Sequence, residues 1–438
     1  MILSQAVRMN DAPTLALVGA GGKTSALFQL AREHGTALVT STTHLGSWQT
    51  AYADHTFMIS GEHLPWPADF QPDPGVTLVT GRRDQDRLMG LAPAALSRLR
   101  EFAQKMAAPL LVEADGAHQK PLKAPADHEP VIPEFCQIVI VVAGLSGLLQ
   151  PLTGEVVHRP EVFQRLSGLR QGQAISPHAL VQVLQHPCGG LKGIPAAARR
   201  IVLLNQADTM ELQQMAGMMQ SELLATYSSV VVASLKAAVV SQVYEKMAGI
   251  VLAAGSSSRL GQPKQLLDFH GAPFVRCVAQ AALAAGLDPV LVVTGAHADR
   301  VEAAVHDLPV RTIHNPDWQQ GGQSSSIRTG LERLGPLAGG AIFLLSDQPQ
   351  VTTDILAALL ECHARSLCPI AAPWVKGRRA NPVLFDRSVF PQLGQISGDS
   401  GGRALFGRIP VTDLPWQDES LLLDVDTPED YRWLLAHG

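Results

Sequence analysis

Residues 250 to 264, Ile-Val-Leu-Ala-Ala-Gly-Ser-Ser-Ser-Arg-Leu-Gly-Gln-Pro-Lys, run an apolar strand directly into a small glycine- and serine-rich loop. The loop closes on Arg259 and Lys264, so backbone N–H groups and two cations can converge on a triphosphate. A glycine after an apolar strand is common in any α/β protein. The stretch gains meaning from what surrounds it.

Outward from it, short apolar β-rich runs alternate with helical periodicity along the whole chain. Residues 14–19, 36–41, 76–80, 109–113, 137–143, 201–205 and 229–233 read as buried strands, with helical patterns at about 24–34, 92–106, 176–185 and 208–226. A second series has strands at 248–254, 289–294, 310–313, 341–345, 369–373 and 410–413, and helices near 272–285, 297–306, 322–334, 352–364 and 428–436. Uninterrupted apolar strands belong to sheets covered on both faces, usually parallel ones. The expected fold class is α/β, with two doubly wound, mostly parallel-sheet domains over residues 1–240 and 246–438. The first sheet should end near residue 235.

The 438 residues exceed one ordinary core, which agrees with two domains. A net charge of −5 argues against broad nucleic-acid or anionic-membrane binding. Five scattered cysteines with no CxxC pair fit reduced thiols better than a disulfide framework or a zinc site. The N-terminus has no charged region followed by an apolar run, and no stretch reaches 18 apolar residues. The expected location is the cytoplasm.

Further segments fall where a doubly wound sheet presents its strand ends, the place such folds bind ligands. In Gly-Gly-Gln-Ser-Ser-Ser-Ile-Arg-Thr-Gly, 321–330, small hydroxyls precede a helix; one serine suffices as a cap, so Ser324 and Ser325 are candidate base or ribose contacts. Phe-Leu-Leu-Ser-Asp-Gln-Pro, 343–349, ends an apolar strand on Asp347, which is placed either to hold Mg²⁺ or to cap a turn. Arg379 to Phe385 puts a turn before another strand. Gly398 to Arg403 is followed by Asp424-Val425-Asp426-Thr427-Pro428-Glu429-Asp430, in which alternation aims Asp424 and Asp426 the same way off an extended segment. Thr427 and Pro428 read as N-cap and first turn of a helix, with Glu429 and Asp430 as dipole partners.

A phosphate loop with two cations, plus two separate aspartates able to share one Mg²⁺, suits nucleotidyl transfer more than hydrolysis. A phosphate nucleophile is already ionised at neutral pH, so it needs positioning more than a general base. That agrees with the absence of histidine from these motifs.

Six ordered motifs over about 190 residues carry a family resemblance: LAAGSSSRLGQPK (252–264), GGQSSSIRTGL (321–331), LSDQP (345–349), NPVLF (381–385), GDSGGR (398–403) and DVDTPEDY (424–431). The second half resembles the MobA-like NTP transferases, most closely the molybdenum cofactor cytidylyltransferase branch. The resemblance implies a Rossmann-like nucleotidyltransferase that moves CMP from CTP to the terminal phosphate of molybdopterin-bound molybdenum, serving xanthine-dehydrogenase-like hydroxylases. It implies Ala254, Gly255 and Ser256 against the nucleotide, Arg259 and Lys264 on the phosphates, and Ser324 and Ser325 at the base or ribose. Asp347 and Asp426 would hold Mg²⁺, with Asp399 near the pterin side. Ala-Ala-Gly at 253–255 looks like the cytidylyl form, where guanylyl enzymes read Ala-Gly-Gly, and Ser346 stands where many relatives have glycine.

In the first half, Leu-Val-Gly-Ala-Gly-Gly-Lys-Thr, 17–24, joins a strand to a helix. Gly22, Lys23 and Thr24 form the end of a P-loop for ATP or GTP, with Lys23 for the β/γ oxygens and Thr24 for Mg²⁺, although the first glycine of GxxxxGK[ST] would fall at Leu17. Leu110 to Gly116 reads as a strand ending in the acids Glu113 and Asp115, suited to hold Mg²⁺ indirectly or to orient water. Asn205 to Asp208 follows a strand as a base-reading Asn-x-x-Asp segment would. Val18 to Thr24, Val39 to His44, and Val112 to Gly116 with the following His118 to Pro121 resemble the YqeC-type accessory proteins associated with selenium-dependent molybdenum hydroxylases. His44 and His118 become candidate ligand contacts. Implied partners are a nucleotide, a pterin cofactor, and a molybdenum hydroxylase or its maturation chaperone, with no nucleic acid or membrane. Two rival readings remain: a guanylyl or sugar-phosphate nucleotidyltransferase, and a non-catalytic cofactor-binding chaperone.

Overall fold

The computed structural model describes residues 1–9, 13–61, 74–256, 262–399 and 401–437. The chain divides into two compact units, Met1–Tyr244 and Glu245–Gly438. Among the described residues no helix is long and apolar enough to cross a membrane.

The first unit is built on β1 (Thr14–Gly19), β2 (Thr36–Ser41), β3 (His44–Gly46), β4 (His55–Met58), β5 (Gly75–Thr80), β6 (Arg83–Asp84), β7 (Arg87–Met89), β8 (Leu110–Glu113), β9 (Ile138–Gly144), β10 (Arg199–Asn205), β11 (Ser229–Ser234) and β12 (Val239–Glu245). Nine of these form one sheet in the order β12-β11-β10-β9-β1-β8-β2-β5-β4, while β3, β7 and β6 form a separate three-stranded sheet. Every pairing from β11 to β4 is parallel. The helices α1 (Lys23–His34), α2 (Pro93–Lys105), α3 (Pro160–Ser167), α4 (Pro177–Gln185) and α5 (Met210–Leu223) intervene. Central strands are buried throughout, as continuous apolar runs require.

The sheet runs past residue 235, because β12 adds a ninth strand on its edge. Both edge strands, β4 and β12, mix exposed and covered positions. An edge strand needs no unbroken apolar run, which is why that criterion passes over them.

The second unit contains β13 (Met247–Ala253), β14 (Val290–Thr294), β15 (Arg311–His314), β16 (Gly340–Leu345), β17 (Ile370–Val375), β18 (Arg378–Arg379), β19 (Val383–Asp386) and β20 (Val411–Pro415). Their order is β15-β14-β13-β16-β19-β17-β18, with β20 beside β17. Pairing is parallel from β15 to β16, and β19 enters antiparallel on both sides. The helices are α6 (Phe274–Ala284), α7 (Ala298–Val305), α8 (Gly322–Leu331), α9 (Thr353–Ser366) and α10 (Pro428–His437). One apolar cluster around Val251, Val278 and Leu344 and another around Ile250, Val293 and Phe343 cover opposite faces of β13, so its neighbouring residues point into both. Buried His363 and Asp386, 2.7 Å apart, tie α9 to the end of β19. All five cysteines are free.

Candidate functional site

In the second unit the central strand β13 ends at Ala253, and its continuation, Ala254, Gly255 and Ser256, lines a cleft of about 590 Å³. Lys264, Gln265, Trp318, Gly322, Gln323, Ser326, Ser346, Asp347 and Asp399 complete its walls. The loop is fixed from both sides: Gln265 Nε2 donates to the Gly255 carbonyl at 3.0 Å, and the Ala296 N–H donates to that of Ala254 at 3.1 Å. Arg259, the first of the two expected loop cations, lies outside the described residues.

Asp347 sits just beyond β16, the neighbour of β13, and burial pushes its carboxyl above the usual range; Lys264 opposes this, whereas Asp424 and Asp426 add to it. These acids, distant in sequence, gather because glutamines pull the chain in. Gln348 Nε2 donates to Asp424 Oδ1 at 3.0 Å, and Gln350 Nε2 donates to the Ser420 and Leu423 carbonyls at 3.0 and 3.1 Å. Asp426 pairs with Lys264.

The segment bearing Asp424 and Asp426 is a tight turn and not the extended run that alternation suggested, since the Asp426 N–H donates to the Asp424 carbonyl. The two carboxylates therefore serve different partners. Thr427 does cap α10: its Oγ1 accepts the Asp430 N–H at 3.2 Å, while Asp430 Oδ2 accepts the Thr427 and Asp426 N–H groups.

The serine run departs from expectation in its detail. Ser324 and Ser325 are buried, with their hydroxyls donating to the Gly321 and Gly322 carbonyls, and the serine that lines the cleft is Ser326. The first two thus serve the turn that starts α8, which leaves little hydroxyl capacity for a base or ribose. Asn315 reinforces that turn by donating to Ser325 and Ser326 at 2.8 and 3.0 Å. Gly322 has φ +61, and a Cβ there would lie 2.3 Å from Asp399 Oδ1. Only glycine lets the helix start approach that acid. Asn315 and Trp318 escaped the sequence reading because each stands apart from a recognisable motif, and an aromatic six residues before the serine run was the available signal; Gln348 lies inside LSDQP but was given no role.

The first unit has a comparable loop at the end of β1. Lys23 is nearly enclosed, donating to the Gly19 carbonyl at 2.7 Å and pairing with Asp115 at 3.1 Å. Thr24 Oγ1 donates to Glu113 Oε2 at 3.1 Å, and burial pushes the Glu113 carboxyl up. Asp115 is committed elsewhere, accepting the Gly19 N–H at 3.1 Å and Lys123 Nζ at 2.7 Å, so Glu113 is the acid that faces the cleft with Gly22, Lys23 and Thr24. Gly22 has φ +119, where a Cβ would lie 2.3 Å from Asn205 Nδ2.

The Asn-x-x-Asp segment does not read a base. Asn205 donates to the Gly21 carbonyl at 2.7 Å and accepts the Leu235 N–H at 3.0 Å, while Asp208 accepts from Ser234. Both residues hold the fold. His44 and His118 line the same cleft as Lys23.

Residues 249–413 match the MobA-like NTP transferase domain, and residues 15–161 match the YqeC protein family. The Escherichia coli protein YqeC is 32% identical over 48% of this chain and 80% of its own length. Nicotine blue oxidoreductase of Paenarthrobacter nicotinovorans is 34% identical over 43% of this chain and 95% of its own length. A probable molybdenum cofactor guanylyltransferase of Bacillus cereus is 31% identical over 32% of this chain and 66% of its own length.

Proposed function

The chain belongs to the YqeC family over residues 15–161 and to the MobA-like NTP transferases over residues 249–413, and from this premise we propose that its second unit transfers CMP from CTP to the terminal phosphate of molybdopterin-bound molybdenum. The observation that carries the reading is Asp347, a half-buried carboxyl at the end of a central strand, in one cleft with the Ala254–Ser256 loop and Lys264. A cleft-lining carboxylate with the Lys264–Asp426 ion pair beside it suits a divalent cation: Asp347 and Asp426 would hold Mg²⁺, which supplies charge to offset the triphosphate. Lys264 draws the phosphates to the cleft. The acceptor phosphate, already ionised, attacks the α-phosphorus as pyrophosphate leaves.

Ala254 supports cytidine over guanosine. The Bacillus cereus guanylyltransferase favours the second reading, GMP transfer, and the same assay separates them: pyrophosphate release with each NTP, with and without molybdenum-loaded pterin. CTP- and pterin-dependent release is expected. For the first unit, ATP or GTP binding at Gly22, Lys23 and Thr24 is supported by the left-handed loop and by the Thr24–Glu113 pair.

A further inference from the structure

The cleft of the first unit, about 520 Å³, carries more chemistry than a nucleotide loop requires. One wall comes from the small sheet, where Gly46 pairs with Arg87, Leu45 with Leu88 and His44 with Met89. Residues directly opposite share a face, so buried Leu45 and Leu88 form the inner face while His44, Gly46 and Arg87 share the other, which lines the cleft. Gly46 has no side chain, and the Trp48 indole takes the space beside it: a Cβ there would lie 2.3 Å from Trp48 Nε1, so the ring is seated against the same face as His44 and Arg87. Burial, then Arg87 and His118, hold His44 below its ordinary value, consistent with the three groups lying close together.

A second wall is the segment 116–120. The Gly21 N–H donates to the Lys120 carbonyl at 3.0 Å, which fastens this segment to the P-loop-like turn. Within it His118 and Gln119 have φ +50 and +59, and Gln206, also on the cleft, has φ +62. Each such residue costs about 1–2 kcal/mol, and strain of this kind gathers at functional sites. The third element is Trp48, 51% exposed, its ring edge-on to Tyr52 at 5.8 Å. Its neighbour Gln49 donates to Thr24 Oγ1 at 3.2 Å, so an open aromatic face is held one residue from the nucleotide loop.

We propose that this cleft takes a second ligand beside the nucleotide: an organic phosphate bearing a planar ring, its phosphate on Arg87 and Lys120 and its ring against Trp48. Arginine and lysine suit a phosphate, and indole suits a flat heterocycle. The phosphorylated pterin assigned above to the second unit has this chemistry; the inference rests on that reading only for the choice of probe.

The test is equilibrium dialysis of the full chain with neopterin monophosphate, in saturating AMP-PNP and Mg²⁺. Wild type should bind two equivalents, and the Arg87→Ala/Lys120→Ala protein one, with AMP-PNP affinity and thermal stability unchanged. Trp48→Ala should weaken the same site about tenfold, as should removal of the phosphate from the probe. If the acceptor reading of the second unit alone is wrong, wild type binds one equivalent and the double variant none. Equal binding by wild type and double variant overturns the inference, as does loss of AMP-PNP binding in the double variant, which would assign both cations to the nucleotide.

Discussion

Lys23 leaves its loop and ends against the Gly19 carbonyl and Asp115, within a network that continues through Lys123 and Glu129 to Arg159. Lys264 instead ends on Asp426, 162 residues further along the chain, beside a half-buried Asp347. In the first unit the acids Glu113 and Asp115 come from a single strand end, and the loop cation pairs with one of them, Asp115. In the second, the acids come from separate segments that meet only after the sheet has formed. A site of the first kind is locally written and internally neutralised. A site of the second kind assembles its carboxylates from distant segments; a carboxyl pushed up by burial, Glu113 in one unit and Asp347 in the other, is common to both.

The largest effect that would break this contrast is at Asp347. Asp347→Ala should lower CTP-dependent pyrophosphate release about 1,000-fold, roughly 4 kcal/mol of transition-state stabilisation, while circular dichroism and melting temperature stay near wild type. Near-normal turnover at limiting Mg²⁺ would remove the metal role. Next is Lys23→Ala, expected to weaken AMP-PNP or GMP-PNP binding by the first unit about 100-fold, read by calorimetry, with transfer by the second unit unaltered.

A smaller effect tests the neutralised network itself. Burial alone would raise the Glu129 carboxyl, yet Lys123 and Arg159 outweigh it and hold it at about 2, against an ordinary value of 4.5. A depressed folded value stabilises the protein above the ordinary value and ceases to do so as pH falls toward 2. Denaturant unfolding should therefore show the wild type ahead of Glu129→Gln by about 2 kcal/mol at pH 7, with the gap closing between about pH 4.5 and 2. A pH-independent gap would mean that packing, not charge, is lost. The smallest is Gly322→Ala, where φ +61 and the nearby Asp399 oxygen should cost about 1–2 kcal/mol and reduce transfer with it.

The same contrast explains what the sequence disclosed. Apolar runs such as 14–19 and 137–143 marked the buried strands because both faces of those strands are covered, while β4 and β12 escaped as edges. The loop at 19–24 and the acids at 113 and 115 were legible because they are local. What sequence spacing could not show was commitment: Asn205, Asp115, Ser324 and Ser325 have the right chemistry for a ligand but spend it on the fold. Nor could it show that Gln348 and Gln350 draw the Asp424 segment toward Asp347, since that depends on contacts between residues 70 to 76 positions apart.

The most direct test of the central claim is mass-spectrometric identification of the product formed by the full chain from molybdopterin-bound molybdenum and an equimolar mixture of the four NTPs with Mg²⁺. A single cytosine dinucleotide of the cofactor, formed with stoichiometric pyrophosphate, is the expected product; a guanine dinucleotide, or cofactor bound without any dinucleotide, would contradict cytidylyl transfer.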